Sequence, residues 1–138
     1  MNEVVVSVIL PVFNGEKFLT ESINSILNQS FKKFELIVIN DGSTDNSYEY
    51  IKKFKDTRLS VINNDKNIGL SNSLNKGILV AKGKYIARMD QDDISLPDRL
   101  KKQVAFMDDN PGIGVCGTWL QTFGGIKKTV CKSPFIVF

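Results

Sequence analysis

The sequence contains no histidine, and its 138 residues include only two cysteines, Cys116 and Cys131, outside any CxxC pattern. The absence of histidine excludes Ser-His and Cys-His catalysis and histidine-ligated zinc within this chain. The low cysteine count argues against a disulfide framework and fits a reducing compartment. Acid, base and metal chemistry therefore falls on carboxylates.

The sequence also lacks a strong charge of either sign and any long hydrophobic run. The net charge is +3, and no basic cluster with interleaved aromatics occurs, so we expect no nucleic-acid partner. The longest apolar run, residues 4–13, is interrupted by Ser7 and Pro11 and is too short to span a bilayer. The N-terminus has no basic signal-peptide region. We expect a cytoplasmic protein, with peripheral association of the full-length protein at the inner face of the membrane as an open alternative.

Short apolar runs alternate with longer periodic segments along most of the chain. Strands are predicted over residues 4–10, 34–39, 59–62, 85–89 and 113–116. Helices are predicted over residues 17–28 and 46–54, from Leu70 to a stop near Gly83, and from Pro97 to a stop at Asn110, with Asp45 as the N-cap of the second helix. This alternation predicts an α/β fold with a mostly parallel central sheet and helices on both faces.

Three carboxylates, Asp90, Asp92 and Asp93, follow the fourth predicted strand. Because like charges in close proximity repel, such a cluster usually needs a cation. Polar residues also follow the first and second strands, at 11–16 and 40–45, and ligands of open α/β sheets bind at the carboxyl ends of the strands. No GxGxxG or P-loop occurs. A divalent metal that carries a diphosphate is the natural occupant of this predicted site.

These motifs, in this order, resemble the N-terminal, nucleotide-sugar-binding portion of a family 2 glycosyltransferase with the Rossmann-like GT-A fold. The matching residues run from Val5 to about Trp119 and comprise Pro11-Val12-Phe13-Asn14, Asn40-Asp41-Gly42-Ser43-Thr44-Asp45, residues 67–75, and Asp90-Gln91-Asp92-Asp93 followed by Pro97 and Arg99. The resemblance implies a nucleotide-sugar-binding subdomain at residues 1–122. It implies that residues 123–138 begin an acceptor-side segment and that the domain is truncated.

The same resemblance implies a role for individual residues. Those implied to bind the nucleotide sugar are Pro11, Phe13, Asn14, Glu16, Asp41, Asn67, Gly69, Asn72, Arg88, Asp90 and Gln91. Within this set, Asp41 would accept a hydrogen bond from the base. Asp92 and Asp90 are the implied ligands of Mg²⁺ or Mn²⁺, and Asp93 would orient its neighbours.

The activity implied by the resemblance is inverting, metal-dependent transfer of a sugar from a nucleoside diphosphate, with a UDP-sugar as first expectation. The acceptor would be a hydroxyl of a glycan or lipid-linked molecule in surface polysaccharide or glycan synthesis. Such transfer requires a general base, in this family a carboxylate well downstream of the acidic motif. No Asp or Glu follows Asp109, so the catalytic base is unidentified. The alternative function is therefore nucleotide-sugar binding without transfer.

Simpler readings stay open at several positions. Asp90 to Asp93 could cap a turn, Asp41-Gly42 is by itself a strong turn signal, and Arg88 could pair with a carboxylate instead of a ligand. Phe13 and Trp119 could belong to the core, and Lys127, Lys128 and Lys132 are expected to be solvated. A nucleotidyltransferase is disfavoured because residues 11–16 are not a Gly- and Arg-rich phosphate loop.

Overall fold

Our computed structural model describes residues 3–118, 120–121 and 130–131. The predictions for Trp119, Lys127, Lys128 and Lys132 lie outside these residues, as does most of the predicted acceptor-side segment 123–138. In the part of the chain that the structure describes, no helix is long and apolar enough to cross a membrane.

Four parallel strands form the central sheet, in the order β3-β2-β1-β4. The strands are β1 (Val6–Val12), β2 (Phe34–Asn40), β3 (Leu59–Asn63) and β4 (Tyr85–Arg88). The helices are α1 (Glu16–Leu27), α2 (Ser47–Lys52), α3 (Leu70–Val80) and α4 (Arg99–Asp109), and a short antiparallel pair is made by β5 (Leu120–Gln121) and β6 (Val130–Cys131). The chain moves from β1 to β2 and β3 on one side and returns to place β4 on the other. The strand order therefore switches between β1 and β4, where open α/β sheets bind ligands.

Helices cover both faces of the sheet, as predicted, because β1 and β2 are apolar on both sides. On one face, Val8 and Leu10 of β1 belong to a core cluster with α1, α2 and α4. On the other face, Ile9 and Ile39 pack against Leu74 of α3. Burial of each such side chain stabilises the fold by about 1.5–3 kcal/mol. The sheet is thus rigidly held where its strand ends carry polar residues.

The sequence predicted that β1 ends at Pro11. In the structure, β1 continues to Val12. Proline lacks a backbone N–H and is tolerated in a strand only where no ladder bond is needed. Tyr85 and Met89 donate to the carbonyls of Val5 and Ile9, so odd-numbered residues of β1 face β4. The pairing with β4 ends at Ile9, and the missing donor of Pro11 therefore faces a side where no strand follows.

The prediction of a strand at residues 113–116 is wrong. This stretch follows the turn at Pro111-Gly112, and the N–H of Ile113 donates to the carbonyl of Asn110 at 3.0 Å instead of to a strand. No described strand lies beside it. The second helix also begins later than predicted, with Asn46 and not Asp45 in the N-cap position.

Candidate functional site

A cavity of about 330 Å³ opens at the carboxyl ends of β1, β2 and β4. Its lining residues are Pro11, Val12, Phe13, Asp41, Asn67, Gly69, Leu70, Arg88, Asp90, Gln91 and Asp92. The volume lies in the range typical of small-molecule sites. The predicted site residues thus come together, except Asn14, Glu16 and Asn72. Val12 and Leu70 were missed by the sequence reasoning, although each adjoins a predicted site residue in the sequence.

Asp41 is a buried carboxylate, 3% exposed, at the tip of β2. Its Oδ1 accepts hydrogen bonds from the Ile68 N–H at 2.9 Å and from Asn64 Nδ2 at 2.7 Å, and its Oδ2 accepts from the Gly69 N–H at 2.9 Å. Burial by itself raises the pKa of Asp41, but these hydrogen bonds outweigh it and hold the pKa below its ordinary value. Asp41 is therefore ionised at neutral pH and organises the loop before α3.

Two glycines let that loop approach the tip of β2. Gly42 has φ +67°, and a Cβ there would clash with the backbone of Lys66. Gly69 has φ 88° and ψ 158°, a conformation that is essentially restricted to glycine. Asp41-Gly42 is thus more than a turn, because it fixes the loop that closes one side of the cavity.

Asn14 and Glu16 tie the loop after β1 to the loop after β2. The Asn14 Oδ1 accepts from the Thr44 N–H at 2.8 Å, and the Glu16 Oε2 accepts from the Asn46 N–H at 2.9 Å. In return, the Glu16 N–H donates to Asp45 Oδ2 at 3.1 Å. Both predicted binding residues therefore support the cavity from outside its lining.

Asn72 also lies outside the lining, where its Nδ2 donates to the carbonyl of Ile68 at 2.7 Å. A neighbouring buried network was not foreseen from the sequence. Lys76 Nζ donates to Asn64 Oδ1 at 2.7 Å, and Asn64 Nδ2 lies 3.1 Å from Ser73 Oγ as well as bonding Asp41. These contacts anchor α3 to the tip of β2.

The acidic motif presents exposed carboxylates on the opposite side of the cavity. Arg88 donates through Nε and Nη2 to the two carboxylate oxygens of Asp90, each at 3.0 Å. Arg88 thus makes the ion pair that the alternative interpretation allowed, and it also lines the cavity. Desolvation, followed by the charges of Asp90 and Asp92, raises the pKa of Asp93. The repulsion inferred from the sequence is thus present.

The described residues contain no group of three or more His, Cys, Asp or Glu side chains placed to hold a metal. Mg²⁺ is commonly held by one or two carboxylates together with substrate phosphates and water. Asp90 and Asp92 both line the cavity and offer hard oxygen ligands of this kind. The residues present therefore fit a cation that arrives with, or is completed by, a diphosphate.

Polar side chains on α1 and just beyond its C-terminal end support the acidic motif and the segment after it. Ser22 Oγ donates to the carbonyl of Asp90 at 3.3 Å, and the Ser95 N–H donates to Ser25 Oγ at 3.0 Å. Gln29 is fully buried; its Nε2 donates to the carbonyl of Leu96 at 2.7 Å, and its Oε1 accepts from the N–H of α4 residue Leu100 at 3.0 Å. Ser22 and Ser25 lie on α1 and Gln29 follows its end, but nothing in the sequence identifies their partners.

Arg99 secures the end of β4 from the other side. Its Nη2 donates to the carbonyl of Arg88 at 2.8 Å, and its Nε donates to Gln103 Oε1 at 3.1 Å. Burial lowers the pKa of Arg99, which the charge of Asp93 partly opposes. The last residue of β4 is thus held directly before the first aspartate of the motif.

The parallel sheet and the cavity at the carboxyl ends of its strands have the GT-A arrangement, and the comparisons with known proteins agree. The family model for Glycosyl transferase family 2 matches residues 7–133, and the chain belongs to that family. An uncharacterized glycosyltransferase of Haemophilus influenzae is 43% identical over 118 residues, which cover 84% of this chain and 36% of the relative.

Two further relatives carry informative names. The UDP-Glc:alpha-D-GlcNAc-diphosphoundecaprenol beta-1,3-glucosyltransferase WfgD of Escherichia coli is 34% identical over 110 residues, covering 80% of this chain and 44% of the relative. The crystal structure of residues 1–349 of S. aureus TarS in complex with UDP-GlcNAc matches with a TM-score of 0.73 and 32% identity, over 78% of this chain and 32% of that one. The chain thus spans less than half the length of these relatives.

Proposed function

We propose that the cavity binds a nucleoside-diphosphate sugar, with UDP-sugars as the first class to test. The observation that carries this proposal is the pairing of Asp41 and the acidic motif on two sides of one cavity. A buried, ionised carboxylate can accept a hydrogen bond from an N–H group of the nucleobase, whereas exposed carboxylates can ligate a cation that carries a diphosphate. The UDP-GlcNAc in the TarS structure and the UDP-Glc in the name of WfgD support the choice of uridine.

In this proposal, each wall of the cavity has one task. Phe13 is 43% exposed, so it is not a core residue and offers a face for the nucleoside. Asp90 and Asp92 would hold Mg²⁺ or Mn²⁺, which as a Lewis acid supplies stabilisation of the departing diphosphate. Arg88 would have to release Asp90 partly as the cation binds, and its guanidinium would then lie beside the phosphates.

We further propose that the longer protein transfers the sugar with inversion to a hydroxyl of a glycan or lipid-linked acceptor. This step needs a base to take the hydroxyl proton. The sequence has no Asp or Glu after Asp109, and the carboxylates of the cavity are assigned to the donor. Donor binding without efficient transfer is therefore the expected behaviour of the 138-residue chain by itself.

Isothermal titration calorimetry of the chain with UDP, at zero and saturating Mn²⁺, tests the proposal. We expect Mn²⁺ to tighten UDP binding, and Asp92→Ala to remove most of this gain. Asp109→Ala is the matched control, because Asp109 is an exposed aspartate at the end of α4, away from the cavity lining. Absence of UDP binding by the unmodified chain would contradict the proposal. An undiminished Mn²⁺-dependent gain in UDP affinity in the Asp92→Ala variant would contradict it as well.

A thermal-shift panel of UDP-, GDP- and dTDP-sugars then tests the base preference. A ligand that binds only the folded state raises the melting temperature, and at one ligand concentration the shift is larger for the tighter ligand. We expect the largest Mn²⁺-dependent shift with UDP-sugars. An equal shift with all three nucleotides would show that the pocket does not select the base.

A further inference from the structure

The side chain of Gln91 joins the two walls of the cavity. Its Oε1 accepts a hydrogen bond from the Phe13 N–H at 2.8 Å, and its Nε2 donates to the Phe13 carbonyl at 3.2 Å. Both ends of the side-chain amide are therefore engaged by the backbone of a single residue. A side chain predicted to bind the nucleotide sugar is instead occupied by the protein.

This pair of bonds continues the sheet beyond the end of β4. Odd-numbered residues of β1 direct their backbone groups towards β4, and the Met89 N–H closes the last ladder bond, to the carbonyl of Ile9. Pro11 is next on that side and has no N–H, so the ladder is interrupted there. Two residues further on, the Gln91 amide meets the N–H and carbonyl of Phe13 as the backbone of a neighbouring strand would.

The loop after β1 leaves room for this arrangement. A Cβ added at Gly15 would lie 2.5 Å from Gln91 Oε1, which is too close for a real contact. Gly15 has φ −106°, which any residue can adopt, so an added Cβ would act by displacing the Gln91 amide and not by straining the backbone. Gly15 and Gln91 are therefore matched by geometry across 76 positions of sequence.

Within the described residues, no other hydrogen bond joins residues 90–94 to residues 13–16. The Asp90 carbonyl is held by Ser22 Oγ at 3.3 Å, but that contact fixes the motif to α1 and not to the Phe13 wall. Beyond the β1–β4 pairing, the Gln91 amide is therefore the hydrogen-bonded link between Phe13 and the carboxylates on either side of Gln91 among the described residues.

We propose that Gln91 is a positioning residue, which couples the nucleoside wall to the cation-binding carboxylates through the backbone of Phe13. The inference rests on the proposed function. It predicts that the nucleotide and the cation strengthen each other's binding through Gln91, whereas each binds almost unchanged alone. Groups that orient metal ligands typically contribute about 10–100-fold to metal affinity.

The test compares two variants. Gln91→Met keeps the side-chain volume and removes both hydrogen bonds, whereas Gly15→Ala keeps the glutamine but pushes its amide away from the Phe13 backbone. Calorimetry gives the ratio of UDP affinities with and without Mn²⁺, and NMR hydrogen exchange reports the Phe13 N–H without any ligand. Asn75→Ala is the control, since this exposed amide on α3 makes no hydrogen bond among the described residues.

We expect each variant to lower the Mn²⁺-dependent gain in UDP affinity by about tenfold, to leave Mn²⁺-free UDP affinity within about twofold, and to speed exchange of the Phe13 N–H. The double variant should lose no more of the Mn²⁺-dependent gain than either single variant, because the two substitutions remove the same interaction. If Gln91→Met does not fold, the same measurements on Gly15→Ala test the inference.

Two outcomes would overturn the inference and leave the proposed function intact. One is an unchanged Mn²⁺-dependent gain in a folded variant, and the other is an equal loss of Mn²⁺-free UDP affinity, which would place Gln91 on the nucleotide itself. Failure of the unmodified chain to bind UDP would instead overturn the proposed function, and the coupling role with it.

Discussion

The two acidic walls of the cavity differ in how their charge is compensated. Asp41 is buried and takes three hydrogen bonds from its own chain, and its pKa lies below the ordinary value. On the other wall, desolvation and the neighbouring carboxylates raise the pKa of Asp93. The charge of Asp41 is compensated by hydrogen bonds from its own chain, whereas the acidic motif has negative charge in excess. The difference indicates that rigidity resides at β2, and under the proposed function the cation would bind at the excess charge after β4.

Removal of Asp41 should have the largest effect. Asp41→Ala leaves the N–H of Ile68 without an acceptor and takes one of two acceptors from the Gly69 N–H and from Asn64 Nδ2; each of the three lost hydrogen bonds to the charged group is worth about 1.5–3 kcal/mol. We expect a loss of about 3 kcal/mol in the free energy of unfolding, measured by urea denaturation. Asp65→Ala, at an exposed aspartate, should change it by less than about 0.5 kcal/mol. Similar values for the two variants would show that the Asp41 wall is not preorganised.

Gly69→Ala tests the loop that Asp41 fixes. A Cβ at Gly69 meets no atom within 4 Å, so the cost comes from the backbone at φ +88° alone and should be about 1–3 kcal/mol. Gly112→Ala is the matched control, because its Cβ also meets nothing and its φ is not in the positive region. There, the substitution should be neutral or slightly stabilising. Equal effects in thermal denaturation would contradict the strained conformation at Gly69.

The effect of pH on stability should have opposite signs for Asp41 and Asp93, which lie on the two walls. Because the pKa of Asp41 is lowered on folding, its contribution is present above the ordinary carboxyl value of 3.8 and is lost as the pH falls through the lowered pKa. Because the pKa of Asp93 is raised, its effect is opposite: stability is lost as the pH rises through the raised pKa. Asp93→Asn should therefore raise the melting temperature at pH 7 but not at pH 3. A lower melting temperature at pH 7 would contradict this.

Arg88→Gln should have the smallest effect on stability. The Arg88–Asp90 pair is exposed, with side chains 54% and 44% accessible, and such pairs contribute about 0–1 kcal/mol. Its removal frees Asp90, so Mn²⁺ should bind more tightly in the absence of nucleotide. Glu49→Gln breaks the comparably exposed Lys52–Glu49 pair without altering the cavity. If both variants leave Mn²⁺ binding unchanged, Asp90 is not a cation ligand.

Most of the elements were predictable because their signals are local. The apolar runs of β1 and β2 and the helical stripes of α1 and α3 identify the α/β class, and the order of the motifs indicates the family, which the comparisons confirm. The false strand at residues 113–116 shows the limit of local signals. An apolar run becomes a strand only when a neighbour supplies its hydrogen bonds.

The site residues also divide into those that a local sequence signal identifies and those whose role depends on distant partners. Asp41, Asp90 and Asp92 could be placed at the cavity because strand ends share one edge of a parallel sheet. Asn14, Glu16 and Gln91 could not be separated from true ligand contacts, because their partners lie tens of residues away in the sequence. Their binding roles stay predictions, and the structure gives each of them a supporting contact instead.

The sequence alone determined the alternation of strands and helices, the family and the three polar strand ends, since each depends on residues adjacent in the chain. Only the tertiary structure decided which polar side chains face the cavity and which hold its walls. That choice depends on contacts across the fold, such as the Gln91 amide on the Phe13 backbone and the Gln29 amide on the segment after the acidic motif. Because a hydrogen bond needs both partners within about 3 Å, it exists only once the chain has folded.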